Sequence, residues 1–330
     1  MMGRYRGTPY FTVVIPTRDR PELFLRTLKS VIKQSFTQFE IIVVNDGSNN
    51  VNSDRYNELL IDKYENLALI DLVHTPQGHG PSYSRNFGAR AGIGHYVCFI
   101  DDDDEWIDPG YLQRVYNEIE SNSVVVDAYY SHQKAYLPSG EHKSETIWIE
   151  DLILHSDTVV TPEAKEVSVD FLLQSTGFAH MNCSIYRQAF FSTEVGGMNE
   201  NIRYESDRDL YYRAIDKAEC ILFSPCFIAK HYIPEKKNRD NVTTKLQILD
   251  KLLFQIQSYN RFVLFAKNQQ IVERARIAKI HALKKMTEEL YAQKEYSKAL
   301  NFGKEALSSK LTVKWLIFLV LVKIKQLTSG

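Results

Sequence analysis

Through the first 130 residues, short apolar runs alternate with segments whose apolar residues recur every three or four positions. The runs predict strands buried on both faces, and the recurring positions predict helices that pack against them. Alternating strands and helices predict an α/β fold with a mixed, mostly parallel sheet flanked by helices. The predicted strands are 11–15, 39–44, 67–73, 96–100 and 124–130, and the helices run from Pro21 to Ile32 and over 54–66, 82–91 and 111–120.

The pattern weakens after residue 130 and changes again near the carboxyl terminus. Residues 131–170 are polar with isolated aromatic residues, and they predict no definite element. Strands are predicted at 181–186 and 221–229, and amphipathic helices follow over 243–310. Within that last region, 282–307 resembles a single tetratricopeptide-type helical hairpin, which needs neighbours to pack against.

Charge divides the chain near residue 235. Residues 1–235 contain 21 Lys and Arg against 34 Asp and Glu, a net charge of −13. Residues 236–330 contain 19 against 7, a net charge of +12. An acidic front and a basic tail predict two functional parts, with the tail suited to an anionic surface. The basic residues are spread along helices without interleaved aromatic residues, so no nucleic-acid partner is predicted.

An apolar run at 315–322 lies between pairs of lysines near the end of the chain. At eight residues it is too short to span a bilayer, which needs about 20. It predicts either a helix lying in a membrane interface, with contact through 310–325, or a buried terminal helix.

Cysteine usage and the amino terminus bear on location. The four cysteines show no CxxC spacing, which predicts reduced thiols in a cytoplasmic protein. The opening residues lack the apolar core of a secretory signal. We therefore expect a cytoplasmic protein, with a peripheral position at the inner face of the cell membrane as the membrane-contacting alternative.

Polar clusters follow three of the predicted strands. Thr17 and Asp46 each come shortly after an apolar run, and Asp101–Asp104 follow a third. Carboxyl ends of parallel strands meet at one edge of a sheet, where ligands bind. Four adjacent carboxylates repel one another unless a cation neutralises them, so the run predicts a divalent cation beside a nucleotide diphosphate. The alternative is a solvated acidic loop.

Three stretches together carry a family resemblance. They are VVIPTRDRPELFLRTLKSVIKQSFTQFEIIVVNDGS at 13–48, SYSRNFGARAGIGHYVCFIDDDDEW at 82–106 and GGMNENIRYESDRDL at 196–210. In this order and spacing the chain resembles a family 2 glycosyltransferase over about residues 10–235. The resemblance implies a GT-A fold, with a donor half at about 10–130 and an acceptor half at 131–235, followed by a helical appendix at 236–330.

The resemblance also implies an activity and a nucleotide site. Family members transfer a sugar from a nucleotide donor, commonly linked to UDP, to an acceptor hydroxyl with inversion at the anomeric carbon. The acceptor would be a glycan or a lipid-linked molecule. Carried over by motif, the nucleotide-binding residues are Pro16, Thr17, Arg18, Asp46, Arg85, Asp101 and Asp102.

The metal and the catalytic base are assigned in the same way. The Asp-X-Asp motif implies Mn²⁺ or Mg²⁺ bound by Asp103, with Asp101 as a further candidate and His231 added on a shorter motif. Asp102 occupies the place where the motif usually has a small residue, which leaves the ligand register open. Asp207 matches the catalytic base, although Ser206 replaces the glutamate that usually precedes it.

Two other classes of function were weighed. The Ser206 departure is compatible with a catalytically degenerate transferase domain that serves as a scaffold. A nucleotidyltransferase also uses an α/β sheet, a metal and a nucleotide, but its glycine-rich, lysine-bearing start is not seen after the first strand. The loop at 77–81 lacks the GxGxxG spacing, so no Rossmann dinucleotide site is predicted.

Overall fold

A computed structural model describes residues 7–60, 63–137, 139–142, 147–153, 163–233 and 246–328. The chain divides into two compact units, Met1–Asn238 and Arg239–Gly330. The first unit is built on a sheet and the second consists of helices.

The first unit contains a nine-stranded sheet among its described residues. Its order is β3-β2-β1-β4-β8-β6-β9-β5, and β7 pairs with β9. The strands are β1 (Phe11–Thr17), β2 (Phe39–Asn45), β3 (Leu67–Asp71), β4 (Tyr96–Phe99), β5 (Glu105–Trp106), β6 (Ala128–Tyr136), β7 (Lys165–Glu166), β8 (Ser184–Arg187) and β9 (Ile221–Tyr232).

Helices cover this sheet and also form the second unit. Those of the first unit are α1 (Pro21–Ile32), α2 (Asn50–Leu60), α3 (Pro81–Ala91), α4 (Tyr111–Ser121), α5 (Val169–Leu172) and α6 (Ser206–Lys217). Short 3₁₀ turns lie at Glu150–Ile153 and Met181–Cys183, and a π-helical turn lies at Phe190–Val195. The second unit comprises α7 (Ile248–Phe265), α8 (Gln269–Ala292), α9 (Tyr296–Ser309) and α10 (Val313–Thr328).

The parallel part of the sheet brings the predicted polar clusters to one edge. β1 pairs in parallel with both β2 and β4, and Thr17 lies opposite Asn45. Asp46 and Asp101 therefore emerge beside Thr17, because parallel strands carry their carboxyl ends in the same direction. The predicted α/β fold, with a mixed sheet flanked by helices, is confirmed.

One glycine brings α3 close to this edge. A Cβ on Gly88 would lie 2.4 Å from Cγ1 of Val14 and 3.1 Å from Cγ2 of Val44. Only a residue without a side chain allows the helix to lie this close to β1 and β2. The close approach carries Arg85, one turn earlier in α3, to the carboxyl edge of the sheet.

The second half of the sheet departs from the sequence prediction in its strand boundaries. β4 pairs antiparallel with β8, which pairs antiparallel with β6. The strand predicted at 124–130 begins only at Ala128, and the one predicted at 181–186 begins with a 3₁₀ turn. β9 extends to Tyr232, three residues beyond the prediction, because it continues along β6 through a register shift. That extension places His231 within a strand.

The second unit is a series of packed helices. α8 and α9 form a helical hairpin over the predicted 282–307 segment, with Lys294 at a φ of 62° in the turn. α10 buries Trp315, Leu319 and Val322, and the indole of Trp315 donates to the carbonyl of Gly303 at 3.0 Å. The buried-helix alternative describes this inner face, and the opposite face of α10 is exposed. No helix among the described residues is long and apolar enough to cross a bilayer.

Candidate active site

Asp102 and Asp103, the two middle residues of the aspartate run, are held by the last residue of β1 and by the loop that follows it. The buried carboxylate of Asp102 accepts a hydrogen bond from the Thr17 hydroxyl at 2.6 Å and another from the Arg20 guanidinium. Arg20 also donates to Asp103 at 2.7 Å. Asp102, which occupies the place of the usual small residue of the motif, therefore has a positively charged partner, which it shares with Asp103.

The last aspartate of the run is hydrogen-bonded to β9 and to the turn that precedes β8. Asp104 has no exposed surface, and its Oδ2 lies 2.7 Å from Nδ1 of His231. Oδ2 also accepts from the Asn182 amide at 2.6 Å, and Oδ1 accepts from the backbone N–H of Tyr232 at 2.9 Å. Asp104 thus joins β4 to β9 and to the segment before β8.

Asp101 faces the opposite side, toward α3. Its carboxylate accepts a hydrogen bond from the Arg85 guanidinium, and its backbone N–H donates to the Asn182 side chain at 3.0 Å. Arg85 is itself buried, with its Nη1 4.0 Å from the sulfur of Met198. The close packing of α3 allows this buried pair to form.

Burial and neighbouring charge make the aspartates unequal. Burial raises the pKa of Asp102 to about 7, although the charge of Arg20 opposes it. Burial and the charge of Asp104 raise the pKa of Asp103 to about 6. Burial acts to raise the pKa of Asp101, but the charge and hydrogen bond of Arg85 together with the charges of His180 and His231 outweigh burial and hold that pKa below its usual range. Asp101 is therefore ionised at neutral pH.

The histidine beside this run is affected by the same charges. Burial lowers the pKa of His231, but Asp104 outweighs burial through its charge and its hydrogen bond, and the pKa rises to about 9. The ring therefore experiences a strongly negative field, which a bound cation would also relieve.

A second cluster lies at the ends of β1 and β2. Asp46 accepts hydrogen bonds from the backbone N–H of His79 at 2.8 Å and of Gly80 at 2.9 Å. Arg18 donates to the carbonyls of Asp46 and Thr75. The loop before α3 is therefore fixed against the carboxyl edge. Pro16, the remaining predicted nucleotide residue of this region, lies inside β1 opposite Val44.

Gly78 is needed for that arrangement. Its φ is 66°, and a Cβ there would lie 2.1 Å from Nη1 of Arg18 and 2.6 Å from Oδ2 of Asp46. The glycine supplies both the left-handed backbone and the space for the two side chains.

The predicted base lies at the start of α6. Oδ1 of Asp207 accepts from the backbone N–H of Arg208 at 2.9 Å, and Oδ2 lies 3.7 Å from Nε2 of His180. The same His180 nitrogen is 4.0 Å from Oδ2 of Asp101. Glu205, the residue before Ser206, precedes α6 with a φ of 54° and pairs with Arg208 at 3.4 Å.

The ligand atoms at this edge fit a divalent cation. Asp104, His180 and His231 offer ligand atoms that lie within 4.8 Å of one another. Asp104 already accepts bonds on both oxygens and holds Nδ1 of His231, which is how a carboxylate orients a metal-binding imidazole through its other nitrogen. The charges of Asp101 and Asp103 also act on that imidazole, and carboxylate oxygens are ligands that Mn²⁺ and Mg²⁺ take, although the three ligand atoms that lie together belong to Asp104, His180 and His231.

The sequence did not reveal four residues of this site. Arg20 lies in a polar loop next to predicted residues, and Asn182 lies in a predicted strand. Trp148 comes from the stretch without a definite pattern, and His180 lies between that stretch and the strand predicted at 181–186. The Trp148 ring lies 5.6 Å from His180 and 5.2 Å from His231, centre to centre. No spacing in the sequence indicated either residue.

Comparison with known proteins identifies the family. The family model for glycosyl transferase family 2 matches residues 12–193, more than half of the chain. The chain belongs to glycosyl transferase family 2. The family predicted from the three motifs is confirmed.

Relatives of this chain include a bacterial glycosyltransferase and a succinoglycan biosynthesis protein. Glycosyltransferase EpsJ of Bacillus subtilis is 25% identical over 216 residues, which are 64% of this chain and 57% of EpsJ. The succinoglycan biosynthesis protein ExoW of Rhizobium meliloti is 27% identical over 223 residues, which are 64% of this chain and 61% of ExoW. The chain thus spans less than two thirds of either relative.

Solved structures of other glycosyltransferases share the fold. S. aureus TarS 1–349 in complex with UDP-GlcNAc is 16% identical, with a TM-score of 0.65, covering 91% of this chain and 81% of that one. The mannosyltransferase PcManGT from Pyrobaculum calidifontis, in complex with GDP-Man and Mn²⁺, is 13% identical with a TM-score of 0.56, covering 97% and 86%. The predicted GT-A fold is confirmed.

Arg20 is expected to stabilise this fold through the aspartates it neutralises. Arg20→Met leaves the buried Asp102 without its cation, so the free energy of unfolding in urea should fall by about 1–3 kcal/mol. Adding Asp102→Asn should restore part of that loss. Arg55→Met is the control, because Arg55 pairs with Glu22 and Glu58 at the surface. Equal destabilisation by the two arginine variants would contradict this account.

Proposed function

We propose that this chain transfers a sugar from a UDP-linked donor to a hydroxyl of a glycan or lipid-linked acceptor, with inversion and with a divalent metal. One observation carries the proposal. His180 lies 4.0 Å from Asp101 and 3.7 Å from Asp207, so the proposed donor and acceptor carboxylates face one space. A single in-line displacement needs a base on one side of the sugar and charge neutralisation on the other.

The donor side of the proposed mechanism has two parts. Arg18 and Asp46 fix the loop that would border the nucleoside, and Thr17 anchors the aspartates beside the diphosphate. Asp103, Asp101 and Nε2 of His231 would hold Mn²⁺ or Mg²⁺. The ion supplies positive charge for the departing diphosphate when bound. The Mn²⁺ complex of PcManGT supports this choice of ion.

On the acceptor side, Asp207 is the proposed base. The backbone N–H of Arg208 holds Oδ1, which leaves Oδ2 to accept the hydroxyl proton of the acceptor. Asp207 lies in the first turn of α6, where the backbone N–H groups interact favourably with a negative charge. Ser206, at the position of the usual glutamate, is buried and supplies no carboxylate.

Asp207→Asn tests the function and the base together. We expect the wild type to release nucleoside diphosphate from at least one donor among UDP-GlcNAc, UDP-glucose, UDP-galactose and GDP-mannose. In the variant that release should fall by about 10²–10⁴-fold, with unchanged affinity for UDP, because only proton removal is lost. Asp170→Asn, at an exposed position of α5, is the control. Near-normal release by Asp207→Asn would place the base elsewhere, and donor binding without any release by the wild type would favour the scaffold alternative.

His231→Asn tests the metal site without breaking the Asp104 contact. The new amide can still donate to Asp104, but the Nε2 ligand is gone. UDP affinity measured by calorimetry with Mn²⁺ should fall by about tenfold or more, and affinity with chelator should stay at the wild-type value. Asp103→Asn should behave alike. His95→Asn, at an exposed position before β4, is the control. An unchanged metal dependence in both site variants would refute these ligands.

The proposed lipid-linked acceptor agrees with the exposed face of α10. The side chains of Leu316, Ile317, Val320, Leu321 and Ile324 are between 44% and 56% exposed. No acidic residue occurs after Glu305, and lysines lie on both sides of the apolar run. An apolar face bordered by lysines is the pattern of a helix that lies in an anionic membrane interface.

Paired serine substitutions test this contact. The double variant Ile317→Ser, Val320→Ser should reduce the fraction of protein that sediments with vesicles of phosphatidylcholine and phosphatidylglycerol by about tenfold. Two aliphatic side chains that would enter the membrane interface are then lost. Val51→Ser with Val73→Ser, at exposed valines of the first unit, is the matched control. Equal sedimentation of both variants and the wild type would contradict the membrane contact.

A further inference from the structure

The two oxygens of the Asp207 carboxylate have different surroundings. Oδ1 is fixed by the backbone N–H of Arg208 at 2.9 Å. Oδ2 faces Nε2 of His180 at 3.7 Å, and that nitrogen also lies 4.0 Å from Asp101. His180 therefore stands between the acceptor-side carboxylate and the donor-side carboxylate.

The ring of His180 is fixed from its other side. Nδ1 accepts the backbone N–H of Asn182 at 3.4 Å, at the start of the 3₁₀ turn. Trp148 packs edge-on against the ring and His231 lies 4.7 Å away, centre to centre. Because Nδ1 accepts, the ring proton is carried by Nε2. The single N–H of a buried imidazole thus points to the side where Asp207 and Asp101 lie.

We propose that His180 is a positioning residue whose Nε2–H holds Oδ2 of Asp207 in the orientation that receives the acceptor proton. This inference rests on the proposed function, because it requires Asp207 to be the base. A separation of 3.7 Å is longer than a hydrogen bond. Contacts of this kind shorten when substrates fill an active site. Loss of the contact lowers kcat and leaves donor affinity unchanged, because a misplaced base impairs only the reacting complex.

Two amide substitutions separate positioning from a structural role. The amide of Asn can replace Nδ1, so His180→Asn keeps the acceptor for Asn182 and loses the donor toward Asp207. The amide of Gln can reach the place of Nε2, so His180→Gln keeps that donor and loses the acceptor for Asn182. The two variants are measured beside the wild type and Asp207→Asn. The probe is whichever of the four nucleotide sugars above the wild type hydrolyses fastest, with kcat and KM taken from nucleoside diphosphate release and UDP affinity from calorimetry.

We expect kcat to fall in His180→Asn and to be largely retained in His180→Gln. His180→Asn should lose about tenfold to a hundredfold in kcat with unchanged KM and UDP affinity, and His180→Gln should retain most of kcat. A wild-type kcat in His180→Asn, or equal losses of kcat in the two His180 variants, would overturn the positioning role. If Asp207→Asn is inactive in the same experiment, the proposed base is unaffected by that result. Wild-type release by Asp207→Asn would overturn the proposed function as well, which distinguishes the two failures.

Discussion

The repulsion among four adjacent carboxylates at the end of β4 is the constraint on which this site depends. Charges a few ångströms apart in a buried place require cations nearby, since water cannot screen them there. The structure supplies Arg20 from the loop after β1, Arg85 from α3 and His231 from β9. Each cation comes from a different element. The packing of those elements around the end of β4 therefore brings positive charges to the carboxylates, in addition to burying apolar side chains.

The side chains of the four aspartates alternate between partly exposed and buried along the run. The side chains of Asp102 and Asp104 are at most 2% exposed and bind protein groups on both sides. Those of Asp101 and Asp103 are 21% and 28% exposed and retain access to the site. Residues 101–104 form a turn in which the backbone N–H of Asp104 donates to the carbonyl of Asp101 at 3.1 Å, and this turn separates the two buried carboxylates from the two more exposed ones. This division supports Asp101 and Asp103 as the pair that faces donor and metal, the register that the Asp-X-Asp motif implies.

The residues that follow β1, β2 and β4 could be predicted from the sequence, because the apolar runs that form these strands lie next to them in the chain. Apolar runs located β1, β2 and β4, and the rule for parallel strands then placed Thr17, Asp46 and Asp101 at one edge. The antiparallel pairing of β8 with β4 and β6 could not be predicted in this way. These strands pair across long separations, and His180 reaches the site only because β8 pairs with both β4 and β6. A lone histidine in a polar stretch gives no indication of such pairing.

Asp104 has a consequence for how substitutions across this chain would be interpreted. Its carboxylate joins the end of β4 to Asn182 and to Tyr232, so its loss disrupts the junction between the two halves of the sheet. A saturation library scored only by product formation would rank Asp104 beside Asp207, although one maintains architecture and the other is proposed to handle a proton. Libraries that seek altered donor preference are better directed at the surroundings of Asp101 and Asp103, with Asp104 held constant.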